Sequence, residues 1–330
     1  MKDWKIFQSQ LPMAIIKRLQ NRIPEFHLSQ FRISKKILKQ LVEIYRKIRN
    51  TSRFILGNLY DFDPDTNNVS YDKLDEIDKL ILSQFQDLIK RTTENYDNYV
   101  FHTLYYDIHN FCTLNLSSFY LDMIKDRLYV LNADSLQRRA AQTVLYRIIS
   151  ELTRLIAPVL SFSAEEIWQN LNKISQKEES VFLSPWPQVE QKLVRIDLEE
   201  EWSKLLAVRK VVLKALEISR KEGQIGNALQ AQVDIYSKDE KVYNYLQKFN
   251  GKLETVFIVS KVKLMNNNDY NANENVFKGE EVPEISILIK KAPGQKCERC
   301  WCYSETIGED NQHPTICHKC VSVLKEGSRE

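Results

Sequence analysis

Glycine is scarce in this chain, eight residues in 330. None of the eight falls in a Gly-x-Gly-x-x-Gly or Walker-type loop, so the backbone cradle of nucleotide-binding folds is missing. Only six cysteines are present, and four of them sit in two Cys-x-x-Cys pairs, which argues against a disulfide scaffold. No run approaches the roughly 18 consecutive apolar residues of a membrane span. The opening Met1-Lys-Asp-Trp-Lys-Ile lacks a signal peptide's apolar core, and serine is too sparse nearby for a typical transit segment. The expectation is a cytoplasmic protein with no membrane partner. A large excess of one charge is also lacking. The net charge is +3, so any anion binding must come from local clusters. No nucleophile–base triad or isolated acid pair stands out, and no catalytic residue is nominated.

What is present is an ordinary globular mixture, 43% hydrophobic and 28% charged, long enough for two or three domains. Residues 1–30 form a lead-in interrupted by Pro12 and Pro24. From Ser34 the apolar residues Ile37, Leu41, Ile44, Ile48, Ile55 and Leu59 recur at helical spacing, predicting one long helix to about Tyr60. Further helices are expected over Tyr71–Thr92, with Leu74, Ile77, Ile81, Phe85 and Leu88 inward, over Tyr96–Leu114, over Leu121–Leu128 and over 134–157. Ser163-x-x-Glu166 reads as a capping box opening another. Residues 31–175 therefore predict a mainly α, antiparallel helical bundle. A helix over Leu198–Glu222 stops at Gly223. The period then shifts toward 2, with strands at Ala231–Tyr236, Thr255–Val259 and Ile285–Ile289 and a helix over Lys238–Phe249. Residues 176–290 thus read as a linker helix and a small α+β module containing an Asn-rich loop at Asn266–Asn275. Residues 291–330 are left as a cysteine-bearing tail.

The tail carries the sharpest signal. Cys297-Glu-Arg-Cys300 and Cys317-His-Lys-Cys320 are two knuckles separated by sixteen residues, a spacing that suits four thiolates closing on one structural Zn2+. Cys302, His313 and His318 are spare ligand types, any of which could replace a thiol. Trp301, directly after the first knuckle, is either a lid over the small core or a stacking platform for a base. Arg299 with Lys290, Lys291 and Lys296 tips it toward nucleic acid.

A second cluster lies on the first long helix. Between Arg32 and Arg53 stand eight Lys/Arg and one acid, Glu43. Arg46, Arg49, Asn50 and Arg53 share one face, opposite the apolar stripe. Most charge runs are solvated faces. A stripe of nearly one sign in a balanced chain is nonetheless what phosphate contact requires, and Asn50 adds a group able to read a base edge. Two weaker signals have bland readings: His109 and Cys112 as packing, and Asp61, Asp63 and Asp65 as a turn, since the glycine and closing glutamate of a calcium loop are absent.

At these residues the chain resembles the carboxy-terminal portion of bacterial-type isoleucyl-tRNA synthetases, class I aminoacyl-tRNA ligases. The resemblance rests on Tyr45-Arg-Lys-Ile-Arg-Asn-Thr-Ser-Arg-Phe54, Gly57-Asn-Leu-Tyr-Asp-Phe-Asp-Pro64 and Asn115-Leu-Ser-Ser-Phe-Tyr-Leu-Asp-Met-Ile-Lys-Asp-Arg-Leu-Tyr129. It continues through Leu155-Ile-Ala-Pro-Val-Leu-Ser-Phe-Ser-Ala-Glu-Glu-Ile-Trp168, Ile225-Gly-Asn-Ala-Leu-Gln-Ala231 and both knuckles. Valyl and leucyl relatives share the bundle but not this tail. The resemblance implies an anticodon-binding domain and a zinc tail that together hold the anticodon region of isoleucine tRNA, with Arg49, Asn50, Arg53, Arg299 and Trp301 among the contacts. ATP serves only the whole enzyme. The His-x-Gly-His and Lys-Met-Ser-Lys-Ser signatures and the editing domain do not occur here, so this chain alone is not expected to charge tRNA, and a catalytic half on another chain is left open. Residues 1–30 do not match the family, and Cys302 stands where histidine is frequent. The rival reading is a non-catalytic, zinc-stapled helical module, derived from a synthetase, that binds protein.

Overall fold

The computed structural model describes residues 35–171, 178–266 and 276–327. The lead-in at 1–30 and most of the Asn-rich loop lie outside them. The chain divides into two compact units at Arg46/Lys47, and every element after the first helix lies in the second.

Helix α1 (Lys35–Gly57) runs across that division. Within the second unit its apolar stripe, Ile48, Ile55 and then Leu59, is buried as the periodicity requires. Helix α2 (Glu76–Asp97) starts later than the apolar pattern suggested, because Asp75 and Asp78 form a reciprocal capping box and the residues before it, Tyr71–Lys73, take a single 3-10 turn. It also ends later. Tyr99 at φ 58° closes a Schellman turn, with Val100 N–H donating to the Asn95 carbonyl and Tyr99 N–H to that of Tyr96. That stop was hidden from sequence because glycine usually occupies the position. The expected inward set on α2 is buried throughout. At about 1.5–3 kcal/mol for each large apolar side chain removed from water, this packing rather than helix propensity holds α2 in place.

Helix α3 (Phe101–Asn110) passes directly into a ten-residue π-helical segment, Phe111–Tyr120. A break near Leu114 was expected and does not occur. The polar run responsible for that expectation is absorbed: Thr113 Oγ1 donates to the His109 carbonyl, Ser118 Oγ to that of Thr113, and Ser117 Oγ lies 2.9 Å from Thr51 Oγ1 of α1. The widened turns direct Phe111, Cys112, Leu116, Phe119 and Tyr120 inward. Short helices α4 (Leu121–Met123) and α5 (Lys125–Tyr129) follow. Helix α6 (Leu136–Ile156), capped by Ser135, packs on α2 and α5. Helix α7 is Ser161–Asn170. Ser163 lies inside it, so the capping box assigned to Ser163 is not its start. The turn through Pro158 and Val159 begins the helix three residues earlier, with Leu160 in the cap position.

Helix α8 (Ile196–Lys221) ends before Gly223 at φ 75° and packs against both α2 and a three-stranded sheet. The sheet has the order β2-β1-β3, where β1 is Ala231–Ser237, β2 Lys261–Asn266 and β3 Ile285–Lys291. β1 pairs parallel with β2 and antiparallel with β3. Between β1 and β2 lie α9 (Glu240–Gln247) and α10 (Leu253–Phe257). The expected strand at Thr255–Val259 is therefore mostly helix. Ile258 at φ 58° ends it, and the strand is the next alternating stretch, Lys-Val-Lys-Leu, whose lysines had masked its period. Buried Arg209 joins α8 to its neighbours, donating to the carbonyls of Val256 and Ser118.

The most consequential polar contact in the core is Asp78, fully buried, which accepts both Arg127 guanidinium nitrogens (3.0 and 2.8 Å) and the Tyr120 hydroxyl (2.7 Å). A second, Asp61, accepts two hydrogen bonds from Arg138 and one from Gln142. Partial burial pushes the Asp61 carboxyl up, but the hydrogen bonds from Arg138 and Gln142 and the charges of Arg138 and Arg139 outweigh it, leaving its pKa below the usual aspartate value. Asp63 caps its own turn through the Asp65 N–H, so the alternating aspartates are a turn, as their sequence suggested.

Two outcomes are expected. Arg127→Leu strands the Asp78 charge and should cost about 3–5 kcal/mol in urea unfolding, while the double replacement with Asp78→Leu recovers much of that loss. Asp61→Asn should destabilise at neutral pH. A carboxyl with a depressed folded pKa contributes stability that vanishes as pH falls through that pKa, so the gap between Asp61→Asn and the wild type should close below about pH 4. A pH-independent gap would mean that charge is not what Asp61 contributes.

Candidate functional site

The tail folds as a short hairpin and a helix. Strands β4 (Gln295–Lys296) and β5 (Tyr303–Ser304) pair antiparallel, and the first knuckle is the loop between them. Gly294 at φ 83° is obligatory, since a Cβ there would lie 2.1 Å from the Ser304 carbonyl oxygen. Helix α11 (His318–Gly327) begins directly after Cys317 and carries Cys320 in its first turn. Neither hairpin nor helix was foreseen, because the cysteine spacing dominates the local sequence.

The sulfurs of Cys297, Cys300, Cys317 and Cys320 all lie within 4.8 Å of one another. Cys297–Cys320 and Cys300–Cys317 are each 3.8 Å apart. Four Zn–S bonds of about 2.3 Å in a tetrahedron place neighbouring sulfurs about 3.8 Å apart, so the donor set fits zinc in chemistry and in size. Three of the cysteines are buried and Cys300 is half-buried, packed with Val130, Ile307 and Ile316. Burial alone would push the Cys297 thiol up. Backbone N–H groups of Cys300, Cys317 and Arg299 turned toward its sulfur outweigh that and bring it down to about 6, so Cys297 ionises first. A hydrogen bond with Cys302 together with burial pushes Cys300 up, and burial and neighbouring thiolate charge push Cys317 and Cys320 up, leaving a metal's own charge to ionise those three. Cys302, His313 and His318 stand outside the four-sulfur group among the described residues.

The zinc unit is bolted to the bundle near α5. The Arg299 guanidinium donates to the Val130 carbonyl (2.7 Å), Lys319 pairs with Asp126 (2.7 Å), and Asn132 Nδ2 donates to the Val323 carbonyl (2.9 Å). Arg299 is therefore partly committed to holding the tail. Of the lysines preceding the knuckle, Lys290 pairs with buried Asp234, and Lys296 lies over the Trp301 ring, 5.2 Å from its centroid. Trp301 is 60% exposed and sits at φ 66°, a left-handed conformation that a bulky side chain adopts only at a cost. It is not a lid over a core.

On α1, Lys47, Arg49, Asn50 and Arg53 are exposed, and none of the three cations makes an ion pair among the described residues. Arg46, in the preceding unit, pairs with Glu43 at 2.8 Å. Asn50 stands on a ridge between two open grooves. One is lined by Arg53, Phe54, Asn58, Tyr60 and Tyr129, the other by Lys47, Thr51, Ser117 and Lys125. Sequence reasoning did not single out Tyr60 or Tyr129, whose proximity depends on α1 and α5 meeting in space.

The helical bundle thus carries an exposed basic edge with a four-cysteine unit fixed beside it, and two family models match this pair of features. Residues 78–235 match the anticodon-binding domain of tRNA ligase, and residues 294–323 match the zinc finger found in FPG and IleRS. The chain shares both domains with the isoleucine–tRNA ligases. It is 48% identical over 301 residues to that of Caldanaerobacter subterraneus subsp. tengcongensis, covering 91% of this chain and 32% of the relative. It is also 48% identical over 299 residues to that of Thermoanaerobacter sp. (strain X514), covering 90% and 32%. Identity to that of Moorella thermoacetica is 46% over 293 residues, covering 89% and 31%. The chain thus spans about a third of the length of these relatives. No helix among the described residues is long and apolar enough to cross a membrane.

Metal removal tests the centre. A tail of this size has little core of its own, and structural zinc in such units contributes on the order of 10 kcal/mol at neutral pH. A chelator should shift Trp301 fluorescence and open the tail to protease while the helical signal of the bundle persists. Unchanged fluorescence and proteolysis would sink the zinc assignment.

Proposed function

We propose that the chain grips the anticodon arm of isoleucine tRNA, in the cytoplasm, as part of an isoleucine–tRNA ligase. In this reading residues 31–175 form the anticodon-binding bundle, 176–290 a linker helix and small α+β module, and 291–330 the zinc tail. The ATP-dependent attachment of isoleucine belongs to the whole ligase, with its catalytic half elsewhere on the polypeptide or on another chain. The observation that carries the proposal is the pairing of two features on one scaffold: a helix edge whose Lys47, Arg49 and Arg53 make no ion pair among the described residues, and a metal-stapled loop that exposes a tryptophan.

The roles follow from chemistry. Arg46, Arg49 and Arg53 neutralise backbone phosphates, and Asn50 offers donor and acceptor to a base edge. Trp301 stacks on an unpaired base, its conformational cost offset by the contact. Arg299 keeps N–H groups beyond the one given to Val130, and these are available to a phosphate.

Filter binding with tRNA transcripts tests this reading. Arg49→Ala should weaken binding and lower the salt slope by about 1, and Trp301→Ala should weaken it by roughly 5- to 100-fold. Equal affinity for every tRNA, or none for any, would defeat the proposal. Stable protein partners captured without RNA would favour a protein-binding module instead.

A further inference from the structure

One end of the bundle is an aromatic pole. Large apolar side chains lie in solvent there: Tyr99 and Phe101 at the turn from α2 to α3, Val159 and Phe162 at the turn from α6 to α7, and Phe182 and Leu183 in the 3-10 turn Val181–Leu183. Phe162 is 94% exposed. Side-chain contacts bring the three turns together. The Tyr99 and Phe101 rings lie 6.2 Å apart, Phe101 and Tyr96 6.2 Å, and Tyr96 and Trp186 5.3 Å. The Tyr96 hydroxyl donates to the Leu155 carbonyl (2.9 Å), Arg154 to that of Pro185 (3.0 Å), and Glu165 of α7 accepts from the Ser180 hydroxyl and the Val181 N–H. A contiguous exposed apolar surface of this kind marks a contact with another macromolecule, unlike single apolar residues scattered over a surface.

Tyr99 is an independent sign. It holds the left-handed position after α2, where glycine would carry no strain, and its ring is 70% exposed, so burial does not offset that cost. The exposed charges nearest the pole along the chain, Glu94, Asp97, Glu166, Glu178 and Glu179, are all acids. An aromatic centre with an acidic rim repels a phosphate backbone and suits a protein face that is apolar in the middle and basic around it. Nor does the pole compete with the RNA grip. Helix α2 has 22 residues and is about 33 Å long at 1.5 Å per residue. The zinc unit is fixed beside its other end, where Arg127 of α5 meets Asp78.

We infer that this pole is where the rest of the ligase packs against the chain, through a face apolar at its centre and lysine- or arginine-bearing at its edge. The inference rests on the ligase reading proposed above and adds to it the surface of contact. The occupant is protein that lies outside this chain, which spans 32% of the length of relatives to which it is 48% identical. A second copy of the chain fits less well, since a two-fold contact would set one acidic rim against another.

The test compares the chain alone with the same chain standing in place of the matched region of the whole Caldanaerobacter ligase, by hydrogen exchange and by isoleucylation of tRNA. In the whole ligase, peptides covering Tyr99–Phe101 and Val181–Leu183 should exchange several-fold more slowly than in the chain alone. Phe162→Asp and Leu183→Asp should remove that protection and lower kcat/KM for charging on the order of tenfold, whereas Phe162→Leu stays within about twofold. In the chain alone, both aspartate variants should keep the wild-type melting temperature and tRNA affinity. Should Leu183→Asp melt early, Phe162→Asp, at an almost fully exposed position, decides the matter. Equal exchange in the two settings, or charging and exchange unmoved by both aspartates, overturns the inference and leaves the tRNA reading intact. Protection that grows with the concentration of the chain alone would assign the pole to a second copy and also overturns it. If the pole is protected in the whole ligase but the chain alone binds no tRNA, the docking surface stands and the tRNA grip falls.

Discussion

The bidentate pair between Arg127 and Asp78 is the contact on which the rest of the architecture hangs. Asp78 sits in the first turn of α2 and is wholly out of water, so its charge is tolerable only with its oxygens occupied. Arg127 provides two donors, Tyr120 a third, and the Asp75 N–H completes the cap. Arg127 also donates to the Gln137 carbonyl at the start of α6. One guanidinium thereby ties α2, the π-helical segment, α5 and α6 at a common point. Hydrophobic burial supplies most of the free energy, but it does not by itself choose a rotation for a helix as short as α5. The ion pair does.

That choice matters because α5 and the residues after it carry the tail. Asp126, Val130 and Asn132 each hold one part of the zinc unit, and the first of them neighbours Arg127. Zinc closes a small, core-poor loop structure into something rigid, and three polar contacts fix its attachment. Rigidity is what allows Trp301 to be held in a left-handed conformation while exposed. A floppy loop would relax that strain instead of maintaining it. The sequence of dependence therefore runs from Asp78 through Arg127 and α5 to the four thiolates and the indole.

Much of this was legible in the residues, for identifiable reasons. The α2 face, the helix α6, α8 stopping at Gly223, and β1 and β3 all follow from period and punctuation. The four zinc ligands follow from spacing alone. What failed to show was whatever depends on tertiary partners. Tyr99 ends α2 where glycine would have signalled a stop, and the π-helical segment hides its continuity in a serine- and threonine-rich run whose hydroxyls bond inward. The lysines of β2 concealed a strand, leaving Thr255–Val259 to be mistaken for one. At the candidate site, the basic stripe was visible from helical phase. The groove beside it was not, because Tyr60 and Tyr129 are almost seventy positions apart and meet only after folding.

A chain with 47 Lys/Arg and 44 Asp/Glu looks unpromising as an RNA binder until the pairs are subtracted. Arg127, Arg138, Arg139, Arg147 and Arg195 are matched by carboxylates, and Arg209 is buried against carbonyls. Those cations stabilise or orient the fold and contribute little field outside it. Lys47, Arg49 and Arg53 are left on one exposed stretch of helix with no carboxylate paired to them among the described residues. Since screening limits reach to about 8–10 Å in physiological salt, a ligand approaching that edge experiences those three charges and not the near-neutral total. Near-neutrality elsewhere then helps the proposed function, because it keeps nucleic acid from settling on the wrong face and leaves specificity to the edge and the indole.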